Sequence, residues 1–373
     1  MTAEPMALEF RDVSLTYRTR EGDVPAVRGV SLSLPAGSSI GIAGESGSGK
    51  STLFSTVLRL QPRDARVTGE VLVDGEDVLG MSFKRLRALR WAQASIVFQG
   101  ALHGLDPIKR VGEQIAEPIA LHEPKLGRSD LDRRVGELLE QVGLPPGRAR
   151  SYPHQMSGGQ RQRIMIAMAL ACRPRLIVAD EPTTALDVMV QAQVLSVLGD
   201  LVRELGLTLV LISHDLSVLA DVCQRAAVMY AGQLVEVGPA ATVFDQGAHP
   251  YSAALAGAFP RIGDARFRYA PSGLPGDPPF PGETGDGCAF APRCPQARPD
   301  CSIGDVPLLE VAPGRLAACR YPLVGTTPAT RPGDAGSPAH GGSSGASDPP
   351  GHTEDPGDAA APGPWSTEPG ARP

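Results

Sequence analysis

The 373-residue sequence predicts an α/β protein. Its expected architecture is a mixed, largely parallel sheet core with an antiparallel β subdomain and a helical subdomain, followed by a small loop-rich extension. Three observations predict this. Residues 7–40 alternate apolar and polar, through Leu8, Phe10, Val13, Leu15, Tyr17 and later Val30, Leu32 and Leu34, the pattern of half-buried strands. Ser38–Ala43 is a short apolar run into a glycine-rich loop, after which Leu53, Phe54, Val57 and Leu58 fall at helical spacing. Leu176–Asp180 and Leu207–Ser213 are uninterrupted apolar runs, each followed by polar residues and a helix. Strands of that kind belong to a parallel sheet covered on both faces.

The remaining elements follow in order. Gly69–Gly75 carries a hairpin signal with Asp74-Gly75 as its turn. Ser95–Phe98 reads as a further strand. Leu131, Val135, Leu138, Leu139 and Val142 share one helix face, as do Val190, Val194, Leu198, Leu201 and Leu205. Ala226–Val237 reads as a closing hairpin around Ala231-Gly232. These elements divide the chain at 1–259, with the helical subdomain at about 100–165, then an extension at 260–324 and a tail at 325–373. In the extension, Gly and Pro make up 20 of 65 residues. Such a segment cannot rest on a broad hydrophobic core and is expected to need a cross-link or a metal. The tail holds 10 Gly and 10 Pro in 49 residues and no Leu, Ile, Val, Met or Phe, so it is expected to be disordered.

Charge narrows the function classes. The tail sets two arginines against six carboxylates, which accounts for −4 of the formal −6 and leaves −2 for residues 1–324. A near-neutral body excludes a strongly basic nucleic-acid binder. No apolar run reaches 18 residues, so no membrane span is expected. The first ten residues have neither a basic flank nor an apolar core, which gives no signal peptide and a cytoplasmic expectation.

Gly44, Glu45, Ser46, Gly47, Ser48, Gly49, Lys50, Ser51 and Thr52 fit G-x-x-x-x-G-K-[ST]. Glycines let the backbone curl so that its N–H groups face phosphate oxygens, and the helix that follows adds its positive end. Lys50 brings a point charge to the β and γ phosphates, and Ser51 is placed to hold Mg²⁺. Asp180 ends an apolar strand, where open α/β sheets bind ligands, and would order Mg²⁺ and its waters. Glu181, one residue further, is suited to polarise an attacking water. Taken alone, the two acids could simply cap the next helix. Ser157, Gly158, Gly159 and Gln160 open another helix and form a second anion-binding terminus about a hundred residues on. One nucleotide needs one phosphate cradle, so the second makes sense if it serves the nucleotide of another subunit.

This combination resembles the ATP-binding cassette (ABC) ATPases, whose defining loop is Leu-Ser-Gly-Gly-Gln; Met156 stands here in place of the Leu. The resemblance implies that Tyr17 stacks on adenine; as a residue it reads equally as a half-buried strand tyrosine. It further implies that Gln99 senses Mg²⁺ and the attacking water, that Ala185-Leu186-Asp187 crosses a dimer interface, and that His214 contacts the γ-phosphate. Asp180-Glu-Pro-Thr-Thr-Ala-Leu-Asp187-Val-Met-Val-Gln-Ala-Gln193 looks like the ATPase subunits of dipeptide and oligopeptide importers. So do Phe98–Pro107, with His103 where an Asn is common, His249-Pro-Tyr251 and the segment Pro275–Cys301. What this implies is an ATP-hydrolysing motor at the cytoplasmic face of a membrane. Its expected partners are a paralogous second ATPase, two permease subunits and an extracytoplasmic solute-binding protein. Nickel and some sugar importers share the subfamily. A nucleic-acid- or ribosome-associated cassette ATPase is the rival class, and a non-catalytic regulator a third.

Of six cysteines, Cys172 and Cys223 sit in apolar helical sequence and read as small core residues. Cys288, Cys294, Cys301 and Cys319 are separated by five, six and seventeen residues. These gaps are wider than the knuckles of structural zinc. Four thiolates match a [4Fe–4S] cluster by ligand count, and the importer resemblance points the same way. Zinc, or surface thiols without metal, stay open.

Overall fold

Apolar alternation builds the first sheet. In the computed structural model, which describes residues 5–20, 22–98, 104–184, 186–258, 274, 276–280 and 282–323, β1 (Met6–Thr19) and β2 (Gly22–Pro35) pair antiparallel with Phe10 opposite Leu32 and Val13 opposite Val30. The alternation slips between Phe10 and Val13 because the register shifts there, at Asp12, whose φ is 50°. β3 (Ser39–Ala43) then leads into α1 (Lys50–Ser55), which a 3₁₀ turn over Thr56–Leu58 continues. β4 (Arg66–Val73) and the short β5 (Glu76–Asp77) close around Asp74 and Gly75, at φ 48° and 80°. Both being positive suits a tight hairpin turn.

The chain continues through α2 (Phe83–Leu89), β6 (Ala94–Val97), α3 (Val111–His122), α4 (Arg128–Gln141) and α5 (Gly158–Leu170). Next come β7 (Leu176–Asp180), α6 (Val188–Leu205), β8 (Thr208–Ile212) and α7 (Leu216–Val222). The hairpin β9 (Arg225–Tyr230) and β10 (Gln233–Pro239), helices α8 (Ala240–Asp245) and α9 (Pro250–Ala258), and a last hairpin β11 (Leu309–Ala312) and β12 (Arg315–Ala317) follow. Gln99, His103, Ala185 and the tail 325–373 lie outside the described residues.

The first sheet has strand order β2-β1-β4-β5; the second runs β11-β12-β10-β9-β3-β8-β7-β6. In the second, β9, β3, β8, β7 and β6 are mutually parallel, and β10, β12 and β11 add antiparallel at one edge. The parallel strands are buried on both faces because each feeds two cores. Ile40, Ile42, Val178, Val210 and Ile212 meet the antiparallel sheet and α1. Ala43, Ile177, Ala179, Leu209 and Leu211 meet α3 to α7. Phe10 and Phe54 join sheet to helix edge-to-face at 5.4 Å. Among the described residues no helix is long and apolar enough to cross a membrane.

The extension corrects one expectation. It does borrow a core: Phe290 is fully buried against Tyr230, Tyr251 and His249 of the main body. It also borrows a sheet edge, pairing Ala317 with Glu236 and Leu316 with Val237. Beneath that edge lies a buried ion pair. Glu236, 0 % exposed, accepts the N–H groups of Ala248 and His249 and takes the Arg315 guanidinium at 2.8 Å. Arg315 also donates to the Gln246 carbonyl. Removing one partner of a buried pair strands the other charge. Arg315→Ala is expected to destabilise the chain by about 3–5 kcal/mol, read as a lowered midpoint in urea unfolding.

Candidate active site

Residues 44–49 form a loop between β3 and α1, and residues 50–52 open the helix. Gly49 caps α1 at φ 95°, and a Cβ there would stand 2.4 Å from the Ala26 carbonyl oxygen. Only glycine fits, so the loop can turn its backbone inward. Lys50, 7 % exposed, donates to the carbonyls of Gly44 and Glu45 at 2.8 Å each and to Ser48 Oγ at 3.2 Å. Burial lowers its pKa, and the carboxylates of Glu181, Asp180 and Glu45 oppose that shift. The ammonium is therefore held ready, on acceptors that an incoming phosphate can replace.

Ser51 Oγ donates to Asp180 Oδ1 at 3.0 Å, joining the end of β7 to the start of α1. Burial raises the Asp180 pKa, partly offset by this hydrogen bond. A hydroxyl and a carboxylate side by side are hard oxygen donors and fit Mg²⁺. Glu181 lies just past the strand at φ 44°, a strained conformation for a side-chain-bearing residue. Its carboxylate accepts the Thr184 hydroxyl at 2.9 Å and lies 3.7 Å from His214 Nδ1. His214 is 61 % exposed. On the opposite side, the Tyr17 hydroxyl donates to Thr52 Oγ1 at 3.3 Å, which puts its ring beside α1. Lys50, Ser51, Asp180, Glu181, His214 and Tyr17 thus gather round one loop.

Ser157 to Gln160 stand apart. Ser157 Oγ accepts from the Gln160 N–H and Gln160 Oε1 accepts from the Ser157 N–H, a reciprocal cap on α5. Ser157 is exposed, and the helix end is open to solvent. Gly159 serves packing: a Cβ there would lie 2.2 Å from Val190 Cγ1 of α6. Gly159→Ala is expected to cost about 1–3 kcal/mol of stability, and Val190→Ala to recover most of that loss. Urea unfolding of the single and double variants checks it.

Arg293 behind the loop escapes the sequence motifs, and so does the pairing of Glu45 with Tyr251. Glu45 is held bidentately by Arg293 at 2.8 and 3.0 Å, and its N–H donates to the Tyr251 hydroxyl at 2.9 Å. The signal in the sequence is Glu45 itself, since an acid inside a phosphate loop calls for a neutralising partner. Its partners lie 206 and 248 residues away.

Cys288, Cys294, Cys301 and Cys319 converge, with His249, on a cavity of about 20 Å³. The donor set fits a thiolate cluster in number and kind. Among the described residues no three His, Cys, Asp or Glu side chains are grouped so that they could hold one metal ion. All four are free, and burial raises the thiols of Cys288, Cys294 and Cys319, the last to about 11.

Comparison with known proteins gives two matching families. "ABC transporter" covers residues 27–184, and "Oligopeptide/dipeptide transporter, C-terminal region" covers residues 235–301. The oligopeptide transport ATP-binding protein OppD of Escherichia coli (strain K12) is 44% identical over 318 residues, 85% of this chain and 93% of that protein. Its Salmonella typhimurium counterpart is 42% identical over 318 residues, 85% of this chain and 94% of that protein. Among solved structures, the dimeric post-hydrolysis state of the ATP-binding cassette MJ0796, bound to ADP and Pi, superposes with TM-score 0.57. It is 29% identical and covers 62% of this chain and 98% of that one.

Proposed function

The chain belongs to the ABC transporter ATP-binding proteins, in the branch bearing the oligopeptide/dipeptide transporter C-terminal region, and on that premise we propose how its residues turn over ATP. It is the ATPase motor of a peptide importer, whose membrane-crossing path is supplied by separate permease subunits and whose cargo arrives on a solute-binding protein. The single observation that carries the reading is the gathering of Lys50, Ser51, Asp180, Glu181 and His214 round one phosphate loop.

In that reading the loop N–H groups and Lys50 cradle the phosphates, and Tyr17 stacks on the base. Ser51 and Asp180, with Gln99, would hold Mg²⁺, which when bound neutralises phosphate charge. Glu181 orients a water in line with the γ-phosphate and accepts its proton, with His214 contacting the phosphate oxygens. Ser157, which is exposed, closes with Gly158, Gly159 and Gln160 over the ATP of a second cassette, a paralogous chain in this proposal. The motor works at the cytoplasmic face of the membrane, docked through the helical region between Gln99 and Ser157. Two tests apply. Glu181→Gln, assembled with its permease in vesicles, is expected to bind ATP normally while hydrolysis falls about a hundredfold or more and uptake of di- and oligopeptides stops. Near-normal turnover would remove the base from Glu181; with the wild-type chain, uptake of nickel but no peptide would move the cargo.

The four-thiol cavity takes no part in turnover. Its convergence supports a [4Fe–4S] cluster held by Cys288, Cys294, Cys301 and Cys319. After anaerobic purification about four irons and four sulfides per chain are expected. Zinc in their place, or neither metal, removes the cluster.

A further inference from the structure

Glu45 sits second in the phosphate loop, between Gly44 and the cradle glycines, and every polar group it owns is engaged. Its carbonyl accepts Lys50 Nζ at 2.8 Å and the Ser48 N–H at 3.2 Å. Its N–H is directed out of the cradle onto the Tyr251 hydroxyl at 2.9 Å. Its carboxylate is clamped by both terminal nitrogens of Arg293, at 2.8 and 3.0 Å. The first two sets of contacts set the backbone of the loop; the third sets its charge.

Arg293 is itself rigidly placed. Its side chain is 7 % exposed, donates to the Tyr230 hydroxyl at 3.2 Å and lies over the Tyr230 ring at 5.8 Å. The backbone behind it is a 3₁₀ turn in which the Arg293 N–H donates to the Phe290 carbonyl at 2.9 Å. Phe290 is the extension's buried anchor, with its ring 5.4 Å from Tyr230 and 5.3 Å from Tyr251. A planar fork on a fixed turn makes a directional, partly desolvated pair that water screens poorly. Without it, a carboxylate would stand beside the site of a polyanion and repel it.

We infer that Arg293 is a positioning residue for the phosphate loop: by pinning and neutralising Glu45 it makes the cysteine-bearing extension set the affinity for ATP in the same chain. The extension is thereby part of the nucleotide site's support, quite apart from anything its cysteines bind. The inference rests on the reading that this loop binds ATP.

The test uses the full-length chain and fluorescent mant-ATP with Mg²⁺, with thermal unfolding of the nucleotide-free protein run in parallel. Arg293→Ala is expected to raise the Kd about tenfold, and the KM of ATP hydrolysis to rise with it. Adding Glu45→Gln to that variant removes the unpaired carboxylate and is expected to restore the Kd to within about threefold of the wild type. A merely structural anchor would gain nothing from that second change. Arg293→Lys keeps the charge but loses the fork, and its Kd is expected to lie between the two; it also serves if Arg293→Ala does not fold. Wild-type affinity in both single variants overturns the inference, as does an Arg293→Ala/Glu45→Gln protein no better than Arg293→Ala. A wild-type chain that fails to bind mant-ATP overturns the ATPase reading itself, a result readily told apart from the others.

Discussion

The ammonium of Lys50 is the constraint from which the site is built. A cation this buried is costly unless oxygens surround it, and the loop supplies three: two carbonyls and the Ser48 hydroxyl. Those oxygens are available only because the backbone from Gly44 to Gly49 folds back on itself. That fold needs a rigid frame at both ends. β3 provides one end, with its apolar residues divided between the two cores. α1 provides the other, its Leu53 and Phe54 sunk beneath the antiparallel sheet. The antiparallel sheet is therefore more than a cover: it fixes the helix whose first residue carries the charge.

The same logic explains why the extension packs as it does. Its glycine and proline content denies it a core of its own, so it sinks Phe290 fully into the core next door, and Leu274, Leu308 and Leu316 pack partly buried against the two cores. Its backbone polar groups are satisfied by the free edge of β10, and Arg315 neutralises Glu236 where that edge is sealed. An aromatic cluster of Tyr230, Tyr251 and Phe290 then sits directly behind the phosphate loop. Cassette and extension share one apolar unit there, and the polar tips of that unit, the two tyrosine hydroxyls, point at Glu45 or its partner.

What the sequence discloses and what it hides divide along sequence distance. Strands β3, β7 and β8 are legible because burial on both faces writes an unbroken apolar run, and the Asp74-Gly75 turn because its two positive φ angles demand those residue types. Lys50, Asp180 and Glu181 are legible because a phosphate loop and a strand-end acid have fixed local spacing. Helix α3 is harder to read, since Pro118 lies inside it and breaks the local pattern while Val111, Ile115 and Ile119 hold it in the core. Glu45 signals that a neutralising partner is needed but not which one, because Tyr251 and Arg293 lie 206 and 248 residues away and reach it only in the folded chain. The anchor role of Phe290 is hidden for the same reason: composition counts what a segment contains and says nothing of the core it can reach.

Strand geometry explains how two adjacent acids come to face different tasks. Asp180, the last residue of β7, keeps the extended backbone and directs its carboxylate to Ser51 at the head of α1. Were Glu181 to continue the strand, its side chain would point to the opposite face of the sheet. Instead its backbone turns into the left-handed region while its N–H still reaches the Ile212 carbonyl of β8. That turn swings the carboxylate back over the strand ends, to Thr184 and towards His214. The strain at Glu181 thus converts alternation into convergence, and the neighbouring strand, through one hydrogen bond, holds it there.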